Sequence, residues 1–126
     1  MTISALARDA YHQSTRSTAS PREVERQLLS RLTTGLVVGE KNRETDHAGY
    51  IRALGKNLEF WTVIAADVAS ETNQLPTPLR AQLFYLFEFT RLHTNKIISG
   101  DKKLTADPLI EINQNIIKGL QGAQKE

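Results

Sequence analysis

Residues 20–38 read SPREVERQLLSRLTTGLVV, and this stretch decides the fold class. Ser20 places a hydroxyl at a helix N-cap, Pro21 suits the first helical position, and Glu23 can reach back to the cap. That is the reciprocal arrangement of a capping box. Behind it Val24, Leu28, Leu32 and Leu36 recur at every fourth position, with Leu29 beside them. One apolar face with a helical period follows, so the spacing predicts an amphipathic helix over about 21–38.

Working outward, the polar residues Gly39 to Asp46 read as a loop. A second helix is predicted over about 47–71, where Ile51, Leu54, Leu58, Trp61, Ala65 and Val68 form a seam suited to near-parallel helix packing. Gly55 costs that helix about 1 kcal/mol relative to Ala, so it reads as a point of close approach. Asn73-Gln74-Leu75-Pro76 breaks the chain, and Thr77-Pro78 restarts a helix over about 78–99, with Gly100 as its left-handed cap. Asp107-Pro108 opens a last helix over about 108–120, with Leu109, Ile112, Ile116 and Leu120 on one face and fraying after Gly119 and Gly122. Three helix starts thus share an oxygen-bearing side chain followed by Pro. Ile3, Leu6, Ala10 and Tyr11 are spaced for a short N-terminal helix, and residues 12–20 read as a mobile segment. No stretch has the strand period. The expected architecture is all-α: one compact domain spanning 1–126, a bundle of four main helices.

Composition agrees. The chain has 126 residues, enough for one domain, with hydrophobic residues at 40% and a net charge of +2. Its cations are scattered beside acids, as in Arg8-Asp9, Arg22-Glu23, Glu40-Lys41 and Arg43-Glu44, rather than gathered on a phosphate-tracking stripe. Having no cysteine, it has no disulfide, no thiolate chemistry and no cysteine-ligated zinc. The N-terminus lacks a signal-peptide core, and apolar runs such as Val63 to Ala66 fall far short of the ~20 residues of a membrane span. The expected location is the cytoplasm, away from membrane.

Catalytic and metal-binding signatures are missing. His12, His47 and His93 lie in separate segments without ligand spacing, and Glu23 and Glu25 point away from each other on a helix. No Gly-rich phosphate loop and no nucleophile elbow occurs. The chain is therefore expected to be no enzyme and to need no cofactor. His93 falls on the stripe Leu79, Leu83, Leu86, Thr90, His93, Ile97, where the simplest reading is an imidazole satisfied by one hydrogen bond. Trp61, on the seam, reads as core. The segment Leu83-Phe84-Tyr85-Leu86-Phe87-Glu88-Phe89 covers nearly the whole circumference of a helix. Either that helix is central in the bundle, or part of its aromatic surface faces a partner.

The succession Ser20-Pro21-Arg22-Glu23-Val24-Glu25, Asn57-x-x-x-Trp61, Asn73-Gln74-Leu75-Pro76-x-x-Leu79-Arg80-Ala81-Gln82, Arg91-x-His93-Thr94 and Leu109-Ile110-x-Ile112-Asn113-x-x-Ile116-x-x-Gly119-Leu120 resembles the FlaF family. The resemblance covers about Tyr11 to Leu120 and implies a flagellar biosynthesis regulator. It implies that flagellin is the partner, bound by an export chaperone that couples flagellin secretion to synthesis, and that a second regulator, FlbT, acts alongside. The candidate partner-binding residues are Phe84, Phe87 and Phe89, with Leu75, Arg80 and Arg91 near them. Pro21, Arg22, Glu25, Asn57, Trp61, His93, Thr94 and Asn113 occupy family-motif positions whose role is structural or binding. The alternative is a post-transcriptional regulator acting on flagellin mRNA, directly or through FlbT. Direct nucleic-acid binding is not expected, because it needs a cationic cluster that only a convergence of Arg22, Arg26 and Lys102-Lys103 can supply.

Overall fold

The apolar spacing marks the helices correctly and their ends less so. The structure, a computed structural model, describes residues 21–125, with side chains at 24 and from 26 to 119. It contains α1 (Pro21–Lys41), α2 (His47–Ala69), α3 (Thr77–Ile98) and α4 (Asp107–Lys125), and no strand among the described residues. The expected short helix through Ile3 to Tyr11, the segment 12–20, the Ser20–Glu23 capping box, His12, and the side chains of Arg22, Glu25 and Leu120 lie outside the described residues.

Short connections fold α1 back on α2 and α2 back on α3, whereas α4 returns to pack on α1. Close packing joins α1 to α2, α2 to α3, and α1 to α4. The central helix is α2, which buries Tyr50, Leu54, Phe60, Trp61, Ile64, Ala65 and Val68. Its seam feeds two clusters. Leu29, Phe60, Trp61, Ile64, Val68, Leu75 and Leu83 fill one end of the bundle. Leu36, Tyr50, Leu54, Ile97, Ala106 and Leu109 fill the other.

Helix α1 continues through the expected loop as far as Lys41, leaving only a tight turn before Asp46. The reason is packing at Gly39, where an added Cβ would lie 3.3 Å from Tyr50 Cδ1 and 3.4 Å from Ala53 Cβ. The close approach expected at Gly55 is made at Gly39 instead. Gly55 is exposed, and a Cβ there would meet nothing within 4 Å.

The capping expectation holds at one end and moves at others. Gly100 adopts φ 106°, its N–H donates to Ile97 O at 3.0 Å, and Asp101 N–H donates to Lys96 O at 3.1 Å. Those two bonds are a Schellman motif. At the start of α3 the N-cap position is Pro76, which makes no side-chain cap bond, and Thr77 is already helical. The Thr77 oxygen accepts instead from Arg80 Nη2 at 3.3 Å. A carboxylate cap does occur at α2, where Asp46 Oδ1 accepts from Gly49 N–H at 3.0 Å, without any proline. The last helix begins at Asp107 and its backbone remains helical through Gly119 and Gly122 to Lys125.

Candidate partner-binding face

Helix α3 carries two apolar rows on different faces. The inner row has Leu83, Thr90 and Ile97 buried, and Leu79 and Leu86 half-buried against the α2 core. The outer row is Tyr85, Phe89 and Leu92, spaced four and three apart, with exposures of 67%, 36% and 49%. Phe84 and Ile98 are also exposed beside it. Continuing along this face, Leu92, Asn95, Lys96, Ser99 and Asp101 line a shallow groove of about 340 Å³. Of the two readings of the aromatic helix, the central position belongs to α2, and part of the aromatic surface of α3 faces solvent.

The candidate residues separate accordingly. Phe84 and Phe89 are exposed; Phe87 is half-buried, packs on the core, and meets the Phe84 ring edge-on at 5.6 Å. Leu75 is buried in the core cluster. Arg91 pairs with Glu88 at 3.1 Å. Arg80 is half-buried, with its Nε lacking a hydrogen-bond partner. Tyr85, Leu92 and Ile98 were not among the candidates, yet they are more exposed than Phe89. The signal was the second row at 85, 89 and 92, offset from the inner stripe.

His93 ties this helix to the connector before α4. Its Nε2 donates to Thr105 O at 2.7 Å, and the ring stacks on Phe89 at 5.4 Å. The carbonyl can only accept, so the proton sits on Nε2. Phe89 is thereby held in place while one edge remains open to solvent.

Four other motif positions lie inside the bundle. Trp61 Nε1 donates to Asn113 Oδ1 at 3.0 Å, and Asn113 Nδ2 donates to Asn57 Oδ1 at 2.8 Å. Asn57, Trp61, Thr94 and Asn113 are all buried, so they shape the interior that α2, α3 and α4 share. Asn57 Nδ2, Thr90 Oγ1 and Thr94 Oγ1 are buried without a hydrogen-bond partner. Pro21 is the first residue of α1.

At the other end of the bundle Glu40 joins three segments. Its Oε1 accepts from Tyr50 Oη at 2.7 Å and from Ala106 N–H at 2.8 Å, and its Oε2 accepts from Arg43 Nη1 at 3.0 Å. Arg43 also donates to Leu104 O at 2.9 Å and lies 4.9 Å over the Tyr50 ring. Burial by itself raises the Glu40 carboxyl, but the bonds from Ala106, Tyr50 and Arg43 outweigh it and hold the group below the ordinary carboxylate range. Burial, then the bond to Glu40, pushes the Tyr50 phenol up. Nothing in the sequence reading marked Glu40, because sequence adjacency pairs it with Lys41, not with residues 10 and 66 positions away.

The cations that RNA binding would require stay apart. Lys102 and Lys103 lie in the connector fastened to Arg43 through Leu104, beside the C-terminal end of α1. Arg26 lies near the other end of that helix, about 22 Å along the axis from Lys41, and the side chain of Arg22 is outside the described residues. Among the described residues no His, Asp and Glu group could hold a metal ion, and no helix is long and apolar enough to cross a membrane. Among known proteins, the family model described as flagellar protein FlaF matches residues 7–120. No curated protein and no solved structure matches the chain.

Proposed function

The chain belongs to the FlaF family of flagellar proteins, and on that premise we propose that it binds flagellin in the cytoplasm as an export chaperone. In this role it couples flagellin secretion to synthesis, acting by binding rather than by catalysis. The observation that carries the reading is the outer row of α3, Tyr85, Phe89 and Leu92, left in solvent beside Phe84 and Ile98. A helix that already has its inner row in a core gains nothing in the monomer from a second apolar row. An amphipathic helix of a client laid along that row buries it with the i, i+4, i+7 anchoring of helix-in-groove recognition. The chaperone keeps such client surfaces from premature self-association until export.

The competing reading is action on flagellin mRNA, directly or through FlbT, and its direct form is weakened by the separation of Arg26 from Lys102 and Lys103. The test is co-purification of flagellin with the Phe89→Ala/Leu92→Ala double variant and with Tyr85→Ala. Binding is expected to weaken about tenfold or more, as for anchors in an interface centre, while the thermal melt stays near that of the parent chain. Undiminished flagellin binding by both variants would remove the α3 face from the reading. Retention of FlbT or mRNA in place of flagellin would favour the regulator.

A further inference from the structure

A second surface, away from the aromatic face, is formed by the α1–α2 hairpin. Between these helices runs a groove of about 360 Å³. Leu32, Gly35, Val38 and Gly39 of α1 and Gly49 and Ala53 of α2 line it. Arg31, Arg52 and Lys56 stand along it, all exposed and none engaged in an ion pair or hydrogen bond among the described residues. Elsewhere, Arg43 and Arg91 each find a carboxylate three residues away. The carboxylate of Asp46, at the turn end of the groove, is already spent on the Gly49 N–H.

We propose that this groove seats an acidic helix of a protein partner. From Arg31 to Asn42 the lining extends about 16 Å, or three helical turns. Arg52 and Lys56, four residues apart on α2, face the same side and present cations at the spacing of successive turns. A partner helix with carboxylates at that spacing pairs with both, while Arg31 on α1 closes the opposite rim. The small side chains of Gly35 and Ala53 leave room for the partner to come close, and Leu32 and Val38 cover its apolar positions. The lining holds no aromatic side chain on which a base could stack, and three cations neutralise few phosphates. A peptide therefore suits the groove better than a nucleic acid. The chain's own first twenty residues carry Arg8 and Arg16 against Asp9, so they are of the wrong charge to be the occupant.

The proposal is independent of the flagellin reading and is tested on the full chain by fluorescence anisotropy. The probes are a labelled helical peptide of about five turns with glutamates four apart beside leucine and alanine, its glutamine counterpart, and labelled oligouridine. The acidic peptide is expected to bind at low salt and the glutamine peptide about tenfold or more weakly. Two variants should each lose a similar factor. Arg52→Glu/Lys56→Glu reverses exposed, unpaired charges. Gly35→Leu fills the groove without altering charge, and its Cβ has only Ala53 Cβ at 4.0 Å. Equal binding of the acidic and glutamine peptides overturns the proposal. So does acidic-peptide binding that Gly35→Leu leaves unchanged, which would mean diffuse charge attraction. Tighter binding of oligouridine through Arg52 and Lys56 overturns it in favour of nucleic acid.

Discussion

Glu40 shows how one side chain can hold three segments that sequence separates. It accepts from Tyr50 on α2, from the Ala106 backbone at the entry to α4, and from Arg43 in the turn after α1. Each bond goes to a charged acceptor, and such bonds are worth more than neutral ones. Glu40→Gln keeps the shape but removes the charge, and turns one of the two acceptor oxygens into a donor. The expected loss at about pH 7 is roughly 1–3 kcal/mol by urea unfolding. The pH dependence follows from the lowered carboxyl. In the unfolded chain this group titrates near its ordinary value, so its contribution is fully present above that value. It is lost as pH falls through the lower folded value. Parent and variant should therefore differ most near neutrality and converge as pH falls below the lowered folded value. A gap that stays constant down to acid would mean that the Glu40 charge contributes nothing.

At the scale of elements, two glycines have opposite roles that the same residue type conceals. Gly100 sits at φ 106° and closes α3 through the Ile97 and Lys96 carbonyls. A Cβ in that conformation is strained, so Gly100→Ala should cost about 1–2 kcal/mol. Gly55 lies mid-helix in α2, with no atom within 4 Å of an added Cβ. Gly55→Ala should therefore stabilise by about 0.5–1 kcal/mol through helix propensity and a less flexible unfolded chain. Thermal melts of the two variants should shift in opposite directions; a downward shift for Gly55→Ala would point to a contact at that position. Sequence could tell that Gly100 follows a helix, because Pro, polar connector and apolar period all mark the boundary. It could not distinguish a packed glycine from an idle one, because Gly39 and Gly55 differ only in what another helix brings against them. The aromatic helix has the same limit. Phe84, Phe87 and Phe89 look equivalent in sequence, and only the docking of α3 on α2 turns Phe87 toward the core and leaves Tyr85 and Leu92 outside. The four helices were legible because apolar period and punctuation are local signals. The faces were not, because about two turns dense in aromatic residues satisfy more than one orientation.

For the whole molecule, the unequal packing of the helices predicts unequal stability. Helix α2 packs closely on both α1 and α3, whereas α4 packs closely on α1 alone. The tie from α4 to α2 is the buried bond set Trp61–Asn113–Asn57, and its tie at the other end is Ala106 to Glu40. Detaching α4 thus breaks one close helix interface, a few polar bonds and the edge of the clusters that Leu109, Ile112 and Ile116 cover, while freeing α2 dismantles both core clusters. Cooperative units of this kind open separately when one rests on fewer contacts. Native-state hydrogen exchange in low denaturant should therefore give α4 amides a lower opening free energy than the α2 amides between Leu54 and Val68. Asn113→Ala leaves Trp61 Nε1 and Asn57 Oδ1 buried without partners, a penalty of roughly 1–3 kcal/mol per group. Because the Trp61 indole and Asn57 regain water when α4 leaves, the variant should lower α4 protection by about as much as it lowers global stability. The gap between α4 and α2 is preserved if the Asn113 bonds break when α4 detaches, and it narrows if they survive until complete unfolding. A preserved gap is the outcome this packing predicts, and equal protection across α2 and α4 in the parent chain would show that the four helices open as one unit.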